Sequence, residues 1–330
     1  MDYDKSFDIT LNMMNRLASI TGKLSEIKFY QNLDKLPHLR KQNRIKSIYS
    51  SCAIEANSLS LNEVSDIING IKVIGDEKEI IEVKNAIRAY DIIEEINPYE
   101  VNDLLKIHGI LTKSLVDRSL MFRLNNEGVF DGDRCIFIAP PPDLVPGLVD
   151  DLFGFLNENQ DEINPVILSS IFHYELVFIH PFQDGNGRTV RLLQMAILGK
   201  YNEIFYYLPI ENEIMNCQNE YYETIKKCNL VGKSTYFIEF MLAVIDDTLS
   251  KAMIDIKRNT VKKTIYIDKL MKVMKVGEAL TSKEILDRLG LKSKETLRKN
   301  YLGPAIELDL VELELKDKLS SRNQRYIRKI

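Results

Sequence analysis

Apolar residues recur at helical spacing through the first 250 residues, and one glycine-bearing loop, HPFQDGNGR at 180–188, breaks that pattern between two helical stretches. The segment behind it, TVRLLQMAIL at 189–198, reads as an amphipathic helix, so Gly185 and Gly187 fall at its N-terminus. Successive backbone N–H groups there form a concave anion site, reinforced by the helix dipole. His180 is suited to take a proton, Asp184 to ligate Mg²⁺ and Arg188 to grip a phosphate with its planar fork. The chain therefore reads as a helical scaffold for phosphate chemistry.

Helical patterns cover residues 6–33, 39–55, 60–70, 77–95 and 102–115, then 144–158, 164–178, 187–200, 213–228 and 234–256. Ser60 is placed to cap one of these helices and Gly70 to stop it. The exception is 121–143, where Gly128, Gly132 and Ala139-Pro-Pro-Pro142 break helices while residues 134–138 look extended, predicting a short β-hairpin. From Lys262 onward 17 Lys and Arg stand against 10 Asp and Glu, so the C-terminal part is basic although the whole chain carries −4. There, residues 281–290 and 293–308 read as two helices, followed by alternating segments at 310–315 and 325–328.

HPFQDGNGR is very close to HPFxDGNGR, and the chain thus resembles the Fic family. The resemblance implies a mainly α fold: a Fic helical-bundle core with a small β-hairpin flap, and a C-terminal winged helix-turn-helix domain. It divides the chain into an N-terminal helical region (1–100), a catalytic core (101–258) and a winged-helix-like domain (259–330). It implies transfer of AMP from ATP to a Ser, Thr or Tyr hydroxyl of a protein, the chain itself included. His180 would deprotonate that hydroxyl, and Asp184 would ligate Mg²⁺, although it also stands where a helix N-cap could. Asn186, with the N–H groups of Gly185 and Gly187, would hold phosphate oxygens. Arg188 and Arg191, three apart on one helical face, would both point at phosphates. Members that phosphorylate instead resemble HPFxDANKR; Gly185 and Gly187 argue for adenylyl transfer.

SSCAIEAN at 50–57 resembles the family's inhibitory helix, (S/T)xxxE(G/N), with Ser51 and Glu55 in register. The resemblance implies that Glu55 pairs with Arg188 and turns ATP away from attack, an arrangement inhibited within one chain (class II). Ala56 stands where Gly or Asn is usual. Ile136 and Ile138 fall on the expected flap. Tyr221, Tyr222 and Asn229 match the segment whose members line the adenine and ribose pocket.

Other chemistry is disfavoured. Four histidines are too few for a multi-His metal centre, and His173 reads as a hydrogen-bonded core residue. The four cysteines lack CxxC spacing, so neither a disulfide framework nor a zinc site is expected, and a reducing cytoplasm is the simpler setting. The N-terminal residues lack a signal-peptide layout, and the longest apolar run, 237–245, is too short to span a membrane. Gly232-Lys-Ser234 lacks the upstream glycine of a P-loop, since Lys227 stands there. Two other functions stay open: removal of AMP by the same pocket, with Glu55 positioning water, and DNA or protein binding through 259–330. A homodimer is equally open.

Overall fold

The computed structural model describes residues 6–29, 37–131, 134–308, 310–315 and 324–329. Two compact units divide the chain, Met1–Lys251 and Ala252–Ile330. The first holds α1 (Leu11–Phe29), α2 (Pro37–Ile54), α3 (Leu61–Ile68), α4 (Glu77–Asp91) and α5 (Val101–Leu111). A hairpin of β1 (Gly128–Asp131) and β2 (Arg134–Ile138) follows, then α6 (Val145–Asn159), α7 (Pro165–Ile179), α8 (Asn186–Tyr201), α9 (Ile210–Asn216) and α10 (Gln218–Val231). Residues of α11 (Thr235–Val273) belong to both units.

Helix starts follow from local chemistry. Ser60 and Glu63 close a capping box on α3, as the sequence predicts, and Asp76 accepts the Lys78 and Glu79 N–H groups to open α4. Asn164 caps α7, with Pro165 at its first helical position. α7 is buried on every face from Val166 to Leu176, and α8 from Arg188 to Gly199. Helices without a polar face must lie inside a core. They pack on each other, and α8 also meets α5 and α2, so the loop joining α7 to α8 is set by the innermost pair of helices.

The hairpin is antiparallel, with Gly128 opposite Ile138 and an irregularity between Val129 and Phe130. Phe137 packs on Phe178 of α7, ring centroids 5.4 Å apart. Two expectations are corrected. The helix predicted over 213–228 is two helices, α9 and α10, broken at Cys217, whose N–H reaches the Glu213 and Ile214 carbonyls. The helix predicted to end at 256 continues to Val273, because neither Gly nor Pro occurs between Gly232 and Gly277.

The second unit contains β3 (Ala279–Thr281), α12 (Ser282–Leu289), α13 (Lys294–Thr296), a π-helical turn Leu297–Leu302, α14 (Gly303–Glu307), β4 (Val311–Leu313) and β5 (Arg325–Arg328). Its strands are antiparallel in the order β3-β5-β4, around a core that includes Leu280, Ile285, Leu297, Leu302 and Val311. Thr281 and Glu284 form a second capping box, and Gly290 ends α12 in the left-handed region at φ 65°. Among the described residues no helix is long and apolar enough to cross a membrane.

Candidate active site

His180 ends α7 in a left-handed conformation (φ 51°, ψ 59°), its N–H bonded to the Leu176 carbonyl, and this reverses the chain into the loop. Gly185 admits the chain to α8 at φ 81°. A Cβ at Gly185 would also lie 2.7 Å from Thr112 Cγ2, so conformation and space both require glycine. No side chain caps the first turn of α8. Its leading N–H groups are thus available to an anion.

Four residues brace the loop. Phe182 is fully buried beneath His108, the rings stacked at 3.7 Å and 6°. Asn186 spends its amide on Phe182: Oδ1 accepts the Phe182 N–H at 2.9 Å and Nδ2 donates to the Phe182 carbonyl at 2.7 Å. The side chain expected to hold phosphate therefore also shapes the loop, with one amide N–H and its carbonyl oxygen spent on Phe182. His108 Nε2 lies 3.0 Å from the Asp184 carbonyl; burial pushes this histidine down to about 4, so the ring is neutral and donates there. The fourth brace is Arg123, which precedes the hairpin in the chain. It donates to the carbonyls of His180 (2.7 Å), Asn125 (2.8 Å) and Pro140, tying both sides of the hairpin to the loop.

His180 itself is half-buried. Burial, then the charge of Arg123, lowers it below the usual imidazole value. Both effects favour the neutral ring, which carries one donor and one acceptor nitrogen.

Two guanidinium groups on α8 are already occupied by carboxylates. Arg191, whose side chain is 1% exposed, donates from Nη2 to Glu55 Oε1 at 2.9 Å and to the Ser51 carbonyl at 2.8 Å. Its Nε also reaches Ser51 Oγ at 3.2 Å. The expectation that Glu55 pairs with Arg188 is thus corrected: of two arginines on one face, Arg191 is the one turned toward the end of α2. Arg188 instead pairs with Glu82 of α4 and, from Nη2, with Asp184 Oδ1 at 3.2 Å. Burial pushes the Glu82 carboxyl up, opposed by the charge of Arg188 and the Asn57 amide. Glu82 was not among the residues the sequence singles out. A Cβ on Gly187 would overlap the Glu55 carboxylate, which therefore lies directly over the first turn of α8.

The tyrosines divide. Tyr221 is buried, its hydroxyl 2.9 Å from His173 Nε2, while His173 Nδ1 lies 2.6 Å from Gln194 Oε1. His173 is the core residue expected, held neutral by burial at about 3. Tyr222 is exposed and reaches the Ile54 carbonyl at 3.4 Å. Asn229 accepts from the Tyr174 hydroxyl at 2.9 Å. Tyr221 therefore belongs to the aromatic core rather than to a surface open to adenine. Ile136 sits on β2, but its side chain falls outside the described residues, and Ile138 is exposed.

No group of three or more His, Cys, Asp or Glu side chains among the described residues could hold a metal ion. A metal held wholly by protein side chains therefore does not fit the described residues. Asp184, with its side chain 56% exposed, fits the single carboxylate that Mg²⁺ needs when substrate phosphates supply its other ligands.

Residues 98–198 match the Fic/DOC family, and residues 266–327 match the Filamentation induced by cAMP protein Fic-like, C-terminal domain. A crystal structure of a Fic family protein from Desulfovibrio desulfuricans G20 is 36% identical, with a TM-score of 0.72 and 98% of each chain covered. Protein adenylyltransferase fic-1 of Caenorhabditis elegans is 28% identical over 68% of this chain and 44% of its own length. Protein adenylyltransferase Fic of Culex quinquefasciatus is 30% identical over 71% of this chain and 49% of its own. This chain thus spans about half the length of those relatives.

Proposed function

The chain belongs to the Fic family, and we propose that it transfers AMP from ATP to a protein hydroxyl and is held in check by Glu55. The observation carrying this reading is the Glu55 carboxylate on Arg191, laid across Gly187 beside the uncapped start of α8. A carboxylate seated at an anion site occupies the place of the anion that site was built for.

In the transfer, the neutral nitrogen of His180 accepts the proton of a Ser, Thr or Tyr hydroxyl. The oxygen attacks the α-phosphorus, the bond to the bridging oxygen breaks, and pyrophosphate leaves with that electron pair. The N–H groups of Gly187 and Arg188 and the Arg191 fork receive phosphate oxygens, Glu55 having moved aside. Mg²⁺ carried by the nucleotide on Asp184 would neutralise phosphate charge. The hairpin, tied to the loop by Arg123, is positioned to align an extended target segment. Scattered cysteines favour a reducing cytoplasm as the setting.

Incubation with ATP labelled at the α-phosphate, then at the γ-phosphate, tests the proposal. Label should pass to protein from the α position alone, as an AMP adduct. Transfer from the γ position would replace this reading with phosphorylation, and removal of AMP from a modified protein would replace it with the reverse task.

A second reading concerns the C-terminal unit, which we regard as a winged helix-turn-helix. Lys292, Lys294, Arg298 and Lys299 lie exposed around α13 and the turn after it, a basic face suited to a nucleic-acid backbone. A gel-shift with the full chain across a salt series tests it, and binding indifferent to salt would leave protein contact as the role.

A further inference from the structure

We infer that Glu82 is a positioning residue for the same transfer: through Arg188 it fixes Asp184 with one carboxylate oxygen held by the protein and the other open to the nucleotide's metal ion. The inference rests on the adenylyl-transfer reading.

Arg188 is the middle of a relay. Its side chain is 5% exposed, and a buried guanidinium must find anions. Nη1 is held by Glu82 and Nη2 by Asp184 Oδ1 at 3.2 Å. The Gly185 N–H also donates to that same Oδ1, at 2.5 Å. Asp184 thus spends Oδ1 on the protein, while Oδ2 has no hydrogen bond among the described residues and the side chain is mostly exposed. Glu82 is itself anchored, because Asn57 Nδ2 donates to its Oε2 at 2.5 Å.

The consequence of losing Glu82 follows from charge. Arg188 would keep a single anionic partner, and a planar fork left with one carboxylate draws in both of its oxygens. Arg188 would then compete with the metal for Asp184. Asn57 gives the relay a second meaning, since it lies two residues beyond Glu55. The end of α2 therefore acts in opposite senses: Glu55 blocks Arg191, while Asn57 supports Glu82 and hence the metal ligand. Deleting this segment is not equivalent to replacing Glu55 alone.

The test uses the full chain carrying Glu55→Gly, into which Glu82→Gln or Asn57→Ala is introduced. Binding of α,β-methylene-ATP is measured by calorimetry across a Mg²⁺ titration and again in EDTA. Glu82→Gln should weaken the Mg²⁺ midpoint by about ten- to a hundredfold, the range typical when a partner orienting a metal ligand is lost. In EDTA the nucleotide should bind as well or more tightly, because a negative charge has gone. Asn57→Ala should shift the midpoint in the same direction and by less. Equal weakening with and without Mg²⁺ would mean a merely structural role and overturn the inference, as would an unchanged midpoint. If Glu82→Gln does not melt cooperatively, Asn57→Ala decides by the same criteria. A parent that binds no nucleotide in either condition overturns the adenylyl-transfer reading together with this one, whereas a parent that binds beside unaltered variants overturns this one alone.

Discussion

Glu55 Oε1 and Arg191 Nη2 lie 2.9 Å apart, and the guanidinium in this pair is buried while the carboxylate is 31% exposed. The exposed member is the removable one. A charged hydrogen bond contributes about 1.5–3 kcal/mol, and nucleotide must displace it, so Glu55→Gly should raise α-label incorporation by about ten- to a hundredfold. Autoradiography of the purified chain, with and without lysate, measures this. Unchanged labelling would remove Glu55 from control, and lost labelling would count against inhibition.

Ala56 follows Glu55 at φ 67°, in the left-handed region where an L side chain crowds the next carbonyl. The helix end still closes, with Ala56 N–H bonded to the Ala53 carbonyl at 3.0 Å and Asn57 N–H to Cys52 at 3.2 Å. Ala56→Gly removes a cost of roughly 1–2 kcal/mol, part of which returns as unfolded-chain entropy, for a net gain of about 1 kcal/mol. Calorimetry should record a higher Tm, and basal labelling should fall because Glu55 is held more firmly. A lower Tm would mean that the helix end carries no strain.

The sequence announces the loop because its constraints are local. Gly185 needs a left-handed conformation and a nearby wall forbids a Cβ, so the motif is written in residue types that backbone geometry demands. Which arginine meets Glu55 is a matter of how α2 packs on α8. Arg188 and Arg191 share a helical face, and spacing cannot separate them. Glu82 is less visible still: within EKEIIEVKNAI a glutamate reads as part of a solvated face, and only the approach of α4 to α8 turns it inward. The hairpin follows from turn residues and α12 from its cap, whereas the helix predicted over 293–308 is interrupted by the π-helical turn at Leu297–Leu302. Three-residue β3 is too short to alternate, and the length of α11 is set by the absence of any breaker.

Tyr221 and Tyr222 are adjacent, yet they differ in consequence. The Tyr221 hydroxyl bonds His173 in a fully buried setting, so Tyr221→Phe strands an acceptor and should cost about 1–3 kcal/mol. Tyr222→Phe removes a long contact at the surface and should stay within about 0.5 kcal/mol. Urea midpoints of the two variants check the contrast, and equal losses would refute the burial argument.

The acid limb of activity should report His180. Burial and the charge of Arg123 both disfavour its imidazolium, so its folded value lies below 6.5. A base works in its neutral form, which is present above the folded value and is lost as pH falls through it. Labelling by the Glu55→Gly variant should therefore hold level from pH 7.5 down to about 6.5 and decline only below that, approaching tenfold per pH unit. His108, at about 4, and His173, at about 3, titrate too low to shape the upper part of this limb. Between those values and 6.5 the unfolded chain binds protons that the folded chain refuses, so these histidines withdraw stability as pH falls. Glu175, which burial raises to about 7, has the opposite sign, since its folded carboxyl is protonated before the unfolded one. Circular dichroism at each pH separates loss of the base from loss of the fold. With the fold intact, an inflection in kcat/KM above 6.5 would assign the essential proton to a group other than His180.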